Sequence, residues 1–329
     1  MAEDIATRSL VLLVTHRRDE FVTGRVAAEL ELRGAAPFRL NTDEMPDELR
    51  IVSTFLHRRL EQRLVSEGRS IRLDDVRAIW WRRVAAPTLP PNLDPRFRVV
   101  CQASLRKALS DALDALDRVN VVNPRPAEAR AESKLRQLQC AAELGLRVPE
   151  TIVTNDPTAA RSFLVSHPRS ITKLLVPFSQ SLDGRGPTVP TSEIRPSDLN
   201  ELDPLILAPQ IFQPQISKSR ELRVVVVGKK AFAASIDASE SEHGKVDWGQ
   251  SAPGEVAWRE ERLPSAFEQM VVRLVERLGL VFGALDFIVD VRGEYHFLEI
   301  NPSGEWGWLE RDLGLPIAAA IAEALLEGV

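Results

Sequence analysis

The chain has 329 residues, of which 44% are apolar and 27% charged, so it can bury more than one core and is not disordered throughout. Its formal net charge of −5 is mixed along the chain, which excludes the concentrated basic face of a protein that binds nucleic-acid backbone. With Cys101 and Cys140 as its only cysteines, the chain has no disulfide framework and no zinc pattern.

We expect a cytoplasmic protein with no membrane partner. The acidic N-terminus, Met1-Ala2-Glu3-Asp4, lacks the apolar run of a signal peptide. The most apolar helical stretch, Ile317 to Leu326, is too short to span a bilayer and contains Glu323. Together with the lack of a disulfide framework, these features predict a soluble protein in a reducing compartment.

Residues 8–122 are predicted to form an α/β domain. Leu10 to Val14 is a short continuous apolar run, which is typical of a buried strand. Val22, Val26 and Leu30 recur at helical spacing, and Gly34 suits the end of that helix. The later elements are a strand at Val76–Trp81, a long helix marked by Leu105 to Leu116, a strand at Val119–Val122, and a linker at Asn123-Pro124-Arg125-Pro126.

Residues 123–208 and 209–329 are predicted to form two further units. The first contains a helix from Lys134 to Leu144, strands at Thr151–Thr154 and Ser170–Val176 around a helix near Thr158–Val165, and a loop at Pro177–Pro190. The second contains strands at Leu205–Phe212, Leu222–Val227, Ala231–Ile236, Ala284–Asp290 and Tyr295–Asn301, with helices near Ala266–Leu278 and after Pro316. The fold class is therefore α/β followed by α+β.

The hairpin between Ala284 and Asn301 carries the most chemistry. A two-residue turn at Arg292-Gly293 pairs Val291 with Glu294 and, counting outward, places Asp286 opposite Glu299. Period-two alternation puts Asn301 on the face of Glu299. Opposed carboxylates destabilise a sheet, whereas oxygen ligands clustered in this way suit Mg²⁺. Asp286, Glu299 and Asn301 are thus candidate magnesium ligands, the alternative being a solvent-facing acidic edge.

Two lysines and an arginine are candidate phosphate contacts. Lys134 begins an amphipathic helix, and Lys173 lies within an apolar strand, so it either snorkels at a sheet edge or points at an anion. Glu221 and Arg223 share one face of a strand, where the alternative is an exposed ion pair. The loop with Ser179, Ser181, Gly184 and Gly186 can place its amides over phosphate or be an ordinary surface loop.

The stretch Gln210-Ile-Phe-Gln213 is a candidate adenine site. It can present hydrogen-bonding groups beside the apolar Ile211 and Phe212, although a core strand explains the same pattern. We therefore include Gln210, Phe212 and Gln213 with Glu221 among the expected nucleotide contacts.

In this order along the chain, these motifs resemble an ATP-grasp domain, in which two subdomains hold ATP between them. The resemblance implies that residues 8–122 form a pre-ATP-grasp domain, residues 123–208 the central lid subdomain and residues 209–329 the catalytic subdomain. The chain is most similar to the graspetide synthetases, or microviridin-type ligases. The similar segments are Arg39-Leu-Asn-Thr-Asp43, Ile79-Trp-Trp-Arg-Arg83, Glu221-Leu-Arg-Val224, Phe232-Ala-Ala-Ser-Ile236, Asp247-Trp248, and Phe297-Leu-Glu-Ile-Asn-Pro-Ser-Gly304 with Trp306, Trp308 and Glu310.

The resemblance implies an ADP-forming ligase that uses ATP and Mg²⁺ to activate Asp or Glu side chains of a ribosomal precursor peptide. Thr or Ser hydroxyls, or a Lys amine, would then form ω-esters or ω-amides. It also implies recognition of a leader segment and a homodimer. Many relatives have Arg after the Asp-Trp pair, whereas Gly249-Gln250 follows here.

Two other functions fit the same residues. One is an ATP-grasp enzyme that adds free amino acids to a protein or small-molecule carboxylate; the N-terminal domain and the tryptophans near Trp306 favour the peptide cyclase instead. The other is a non-catalytic peptide-binding adaptor, against which the complete set of candidate phosphate and metal contacts argues.

Overall fold

The computed structural model describes residues 9–66, 68–116, 119–175, 191–237 and 258–327. In these residues the helices are α1 (Glu20–Leu32), α2 (Pro95–Asp114), α3 (Arg125–Ala131), α4 (Lys134–Glu143), α5 (Pro157–Ser166), α6 (Ser265–Arg277), α7 (Gly307–Leu313) and α8 (Ile317–Leu326). The strands are β1 (Leu10–Thr15), β2 (Ala36–Asn41), β3 (Leu49–Leu56), β4 (Arg59–Ser66), β5 (Arg69–Arg72), β6 (Val76–Trp81), β7 (Asn120–Val122), β8 (Ile152–Thr154), β9 (Ser170–Leu174), β10 (Ser192–Glu193), β11 (Gln210–Pro214), β12 (Lys218–Val227), β13 (Lys230–Asp237), β14 (Arg259–Glu260), β15 (Phe282–Asp290) and β16 (Tyr295–Asn301).

The N-terminal unit is built on a parallel sheet with the strand order β2-β1-β6-β7. Every residue of β1 is buried, as its unbroken apolar sequence predicts. The predicted face of α1 packs on this sheet through Val22, Val26 and Leu30. Gly34 follows the helix with φ of +80°, a left-handed conformation that glycine adopts without steric cost.

A second, antiparallel sheet of this unit, β3-β4-β5, was not predicted from the sequence. Its first turn pairs Leu56 with Arg59 across His57 and Arg58, which both have positive φ. Such a two-residue turn is normally marked by Asn-Gly or Asp-Gly. Because His-Arg carries no such signal, the hairpin is not visible in the sequence.

The central unit has the sheet order β10-β9-β11-β8, with α5 packed on one face. The strand predicted at Leu205–Phe212 is wrong in its first half, because Asp203–Leu207 forms a short 3-10 helix with a proline in its first turn. Leu205 of that helix packs into the core of the unit, and the strand begins only at Gln210. By its sheet pairing, β11 belongs to the central unit, beyond the predicted boundary at residue 208.

The C-terminal unit is a five-stranded antiparallel sheet with the order β14-β13-β12-β15-β16. One face of this sheet packs against α3, α4 and α6 through Ala127, Ala141, Val271, Leu285 and Phe297. The helices α3 and α4 therefore share the core of this sheet, although they precede the central unit in the chain. The opposite face of the sheet, towards β16, is where the predicted polar residues lie.

The N-terminal and C-terminal units pack closely together. Asn123, predicted to lie in a linker, is buried: its amide donates to the carbonyls of Phe282 and Pro302 and accepts from the backbone N–H groups of Val281 and Phe282. The helix α8 joins the core of α1 and β1. Among the helices of the described ranges, none has the length and apolarity needed to cross a bilayer.

Candidate functional site

Three charged side chains form a row across neighbouring strands of the C-terminal sheet. Arg223 of β12 pairs with Asp286 of β15, which in turn pairs with Glu299 of β16. Directly paired residues of antiparallel strands place their side chains on the same face. The Arg223 Nε lies 3.1 Å from the Asp286 Oδ1, so the sheet itself fixes the geometry of this ion pair.

The pairing of Asp286 with Glu299 is confirmed, but the reasoning that predicted it is wrong in one step. The turn contains three residues, since Asp290 rather than Val291 is bonded to Glu294 and the Gly293 N–H returns to Asp290. Gly293 has φ of +83°, as this loop length requires. A bulge at Leu298 then adds one residue to β16 and restores the predicted register.

A cavity of about 280 Å³ lies between the central sheet and this row. Its lining includes six of the predicted site residues: Lys173, Gln213, Glu221, Arg223, Asp286 and Glu299. Lys173 comes from β9 and Gln213 from the neighbouring β11, whereas the other four come from the C-terminal sheet. The cavity is therefore enclosed by two structural units, with cations contributed from both.

The folded protein destabilises the charged form of the Asp286 carboxylate. Burial and the neighbouring Glu299 raise the pKa of Asp286 to about 6, and the charges of Arg223, Lys173 and Lys134 offset only part of this. A carboxylate held in this way gains from any additional cation. This is the electrostatic property expected at the position of a bound metal ion.

Glu299 responds in the opposite direction. Burial by itself would raise the pKa of Glu299, but the nearby Lys134 and Lys173 outweigh burial and lower it. The Lys134 Nζ lies 2.7 Å from the Glu299 Oε2, which places the first residue of α4 at the edge of the site. The two opposed carboxylates thus have different pKa values because Lys134 contacts Glu299, whereas burial dominates at Asp286.

Glu221 and Arg223 share one face of β12 as predicted, but neither is the exposed ion pair that was the alternative. Both are buried, and their partners are Lys218 and Asp286 respectively. Lys218 was missed, because the strand was predicted to begin at Leu222. A bulge at Ser219 turns Lys218 onto the cavity face, and no sequence signal identifies that bulge.

The structure does not bring Gln210 and Phe212 to the cavity. Phe212 packs against α5 in the core of the central unit, and the Gln210 Oε1 accepts a hydrogen bond from Thr172 on that same face. Strand alternation gives the reason: Ile211 and Gln213 share a face with Lys173, so Gln210 and Phe212 point away. Of the predicted adenine contacts, Gln213 is the side chain that reaches the cavity.

Asn301 lies at the end of β16, two residues beyond Glu299. Its side chain is exposed, and its Oδ1 accepts a hydrogen bond from the Ser303 N–H at 3.0 Å. It therefore begins the turn after the strand, while still lying beside the row.

Other predicted contacts fall elsewhere. Ser179, Ser181, Gly184, Gly186 and the segment Asp247–Gln250 lie outside the described residues. Trp306, thought to favour a peptide site, is fully buried in the core shared with α1 and α8. Trp258 was not predicted; it lines the cavity and contacts the Trp308 ring with centroids 4.5 Å apart.

The donor set fits a magnesium ion. Asp286, Glu299 and Asn301 offer oxygen ligands, and two of them are carboxylates directly opposed across neighbouring strands. Within the ranges that the structure describes, no group of three or more His, Cys, Asp or Glu side chains forms a cage for a metal. A site with so few protein ligands suits Mg²⁺ completed by substrate phosphates and water.

Two sheets that enclose a cavity, with cations from both and paired carboxylates from the C-terminal one, are the arrangement of an ATP-grasp ligase preceded by a pre-ATP-grasp domain. The comparisons agree: residues 10–129 match the MvdD pre-ATP grasp domain family. The macrocyclase MdnB of Microcystis aeruginosa is 37% identical, with a TM-score of 0.80 over 97% of this chain and 100% of that chain. The chain therefore belongs to the ATP-grasp ligases associated with ribosomally synthesised, post-translationally modified peptides (RiPPs).

Two further structures were solved with peptides. A RiPP-associated ATP-grasp ligase of Chryseobacterium gregarium, in complex with ADP and a leader and core peptide, is 30% identical with a TM-score of 0.88, over 98% of this chain and 97% of that one. The macrocyclase MdnC of Microcystis aeruginosa, bound to its precursor peptide MdnA, is 31% identical with a TM-score of 0.86, over 97% and 100%. A probable alpha-L-glutamate ligase of Xanthomonas euvesicatoria is 26% identical over 69% of this chain and 76% of its own length.

Proposed function

We propose that this ligase is an ATP-dependent macrocyclase of a ribosomally made precursor peptide. It activates Asp or Glu side chains as acyl phosphates and joins them to Thr or Ser hydroxyls as ω-esters, or to a Lys amine as ω-amides. The observation that carries this proposal is the row of Arg223, Asp286 and Glu299 facing Lys173 across one cavity, in a chain similar over its whole length to a ligase solved with leader and core peptides.

The first step needs fixed positive charge around the transferring phosphate. A carboxylate oxygen of the peptide attacks the γ-phosphorus of ATP, a new O–P bond forms, and the bond to ADP breaks. Arg223 is held against Asp286 and presents its guanidinium to the cavity, where it stabilises the transferring phosphoryl group. Lys173 stabilises the same phosphoryl group from the opposite sheet. Lys134 would contact the inner phosphates once nucleotide competes with Glu299 for its ammonium.

In the second step the hydroxyl or amine attacks the acyl carbon and inorganic phosphate leaves. Asp286, Glu299 and Asn301 would hold magnesium, which would offset the negative charge of the phosphates. Gln213 and Glu221 line the cavity between the central and C-terminal sheets, which we call the nucleotide cavity. Lys218 holds Glu221 there through an ion pair. The remaining surface contributes mainly by binding both reacting side chains of a flexible peptide in attack geometry.

The partners follow from the same proposal. The substrate is a precursor with a leader and a core, the nucleotide is ATP with Mg²⁺, and the enzyme works as a cytoplasmic homodimer. The solved relatives that hold a leader and core, or a precursor peptide, support the peptide part of this proposal.

Addition of a free amino acid to a carboxylate is the second candidate function. The curated relatives named probable alpha-L-glutamate ligase favour it, at 26–27% identity. The pre-ATP-grasp match over residues 10–129 and the higher identity to the macrocyclases favour the cyclase. A non-catalytic adaptor would have no use for the buried, paired charges of the cavity.

ADP release in the presence and absence of a candidate precursor peptide, meaning a short peptide with clusters of Thr and of Glu or Asp, tests the proposal. A macrocyclase releases ADP only when that peptide is added, without any free amino acid. Release that requires free glutamate instead supports the amino-acid ligase. Tight peptide binding without ADP release supports the adaptor.

A further inference from the structure

A second cavity, of about 410 Å³, opens between the N-terminal unit and the turn after β16. Its walls include Trp81, Arg83, Arg125, Glu128 and Ser303, and we call it the Arg125 cavity. It shares none of its lining with the nucleotide cavity. The two cavities are nevertheless linked by the turn after β16, because the N–H of Ser303 donates to Asn301 at the end of the charged row.

Arg125 is oriented without its donors being used. Its guanidinium carbon lies over the Trp81 ring, 4.6 Å from the ring centroid, a cation–π contact that holds the side chain at this wall. The nearest carboxylate oxygen, on Glu128, is 3.9 Å away, too far for a hydrogen bond. Within the part of the chain that the structure describes, Arg125 donates no hydrogen bond, so its forked donors remain available to a ligand.

The opposite wall is also cationic. Arg82 and Arg83 line the cavity, and both contact the single carboxylate of Glu305, which lies outside the lining. Arg82 is buried and donates to the carbonyls of Ser303 and Gly304, so its role is to hold this turn. Arg82 has a second partner in Asp19, 3.4 Å away, so the two arginines face two carboxylates, and Arg83 adds a half-exposed cation to the lining.

Glu128 is the one carboxylate in the lining. Ser303 Oγ donates to its Oε1, whereas its Oε2 is buried without a hydrogen-bond partner among the described residues. Burial raises the pKa of Glu128, and the hydrogen bond from Ser303 and the charge of Arg125 offset this only in part. Glu128 is therefore a weak competitor with a ligand carboxylate for the Arg125 guanidinium.

We infer that the Arg125 cavity binds a carboxylate side chain of the peptide substrate, with the Arg125 guanidinium as its forked partner and Arg83 as a second cation. A planar guanidinium held on a ring matches the two oxygens of a carboxylate, and Val84 and Ala85 give the lining apolar surface for the methylenes of Glu. The inference rests on the proposed function and assigns the residue that selects acidic side chains. It gives the Trp-Trp-Arg-Arg motif at residues 80–83 a role at the substrate.

The test uses glutarate as the probe, because it has the carboxylate and methylene chain of Glu without a peptide. Saturating ADP and Mg²⁺ first occupy the nucleotide cavity, and ligand-detected NMR then measures glutarate binding. Glutaramide, its neutral diamide, is the control ligand. Arg130→Gln is the matched control variant, since Arg130 is exposed on the same helix, α3, away from the cavity lining.

We expect glutarate to bind and Arg125→Gln to weaken that binding about tenfold or more, because a charge-assisted forked pair is lost. Arg125→Lys should be intermediate, since an ammonium keeps the charge but not the fork. Arg130→Gln should match the wild type, and glutaramide should bind about as poorly to the wild type as glutarate does to Arg125→Gln.

Equal binding of glutarate and glutaramide to the wild type would overturn the inference, as would unchanged glutarate binding by Arg125→Gln. If Arg125→Gln does not fold, Arg83→Gln and Arg125→Lys supply the comparison, and unchanged binding by both has the same meaning. Glutarate needs no turnover, so this result is independent of whether a precursor peptide is cyclised. Failure of the subsite is therefore distinguishable from failure of the proposed function.

Discussion

Replacing Asp286 with asparagine should stabilise the nucleotide-free protein at pH 8 while abolishing its ATP chemistry. Burial and the opposed Glu299 raise the pKa of Asp286 from 3.8 to about 6, so the folded state resists the charged form. A shift of about two units corresponds to about 3 kcal/mol of stability. The neutral amide avoids this cost, but it loses the ion pair with Arg223, which offsets part of the benefit. We therefore expect a net gain of roughly 1–3 kcal/mol.

The pH dependence has a definite sign. Below about pH 4 the carboxyl is protonated in both states, so Asp286 makes no difference. Between about pH 4 and 6 the folded state retains a proton that the unfolded state has lost, and stability falls as pH rises. Above pH 6 the full cost is present. The advantage of Asp286→Asn should therefore appear between these values and be absent at pH 4.

Urea unfolding of both proteins at pH 4, 6 and 8, in EDTA and without nucleotide, measures this difference. The reasoning is refuted if Asp286→Asn is the less stable protein at pH 8, or if the two differ equally at pH 4 and pH 8. A folded variant that keeps ATP turnover would separately remove Asp286 from the metal site.

Three further substitutions test other parts of the site and its support. Glu299→Gln should abolish ATP turnover in a folded protein, because it removes a predicted magnesium ligand; turnover near wild type at saturating Mg²⁺ would contradict that assignment. Arg223→Lys should lower both nucleotide affinity and turnover, about tenfold or more, since an ammonium cannot replace a forked donor; unchanged kinetics would make Arg223 a structural partner of Asp286 alone. Asn123→Ala should lower the free energy of unfolding by roughly 2–4 kcal/mol, because it leaves unmade four hydrogen bonds between the Asn123 side chain and backbone groups; a loss below about 1 kcal/mol in urea unfolding would contradict this.

The sequence predicted those elements whose local pattern and tertiary role agree. The run Leu10–Val14 is apolar throughout because both faces of its strand are covered, and Tyr295–Asn301 was predicted with its exact bounds. The pairing of Asp286 with Glu299 was predictable because directly opposed carboxylates in a hairpin are unfavourable unless something binds them, whereas the pairing of Arg223 with Asp286 was not predicted.

The features that were missed depend on contacts distant in sequence. The bulges at Ser219 and Leu298 decide which side chains reach the cavity, and neither has a local signature. Phe212 has the apolarity of an adenine contact but packs under α5, which only the pairing of β11 with β9 determines. The burial of Asn123 likewise arises from the strand β15, far along the chain.

Mass spectrometry of a candidate precursor peptide, after incubation with the enzyme, ATP and Mg²⁺, tests the central claim most directly. The peptide should lose about 18 mass units, one water, for each ring that forms by ester or amide condensation. The core without its leader should react far more slowly, because binding energy from the leader orients the reacting groups, and leader added in trans should restore part of the rate. A peptide that gains the mass of a free amino acid, or that remains unchanged while ATP persists, would contradict the account.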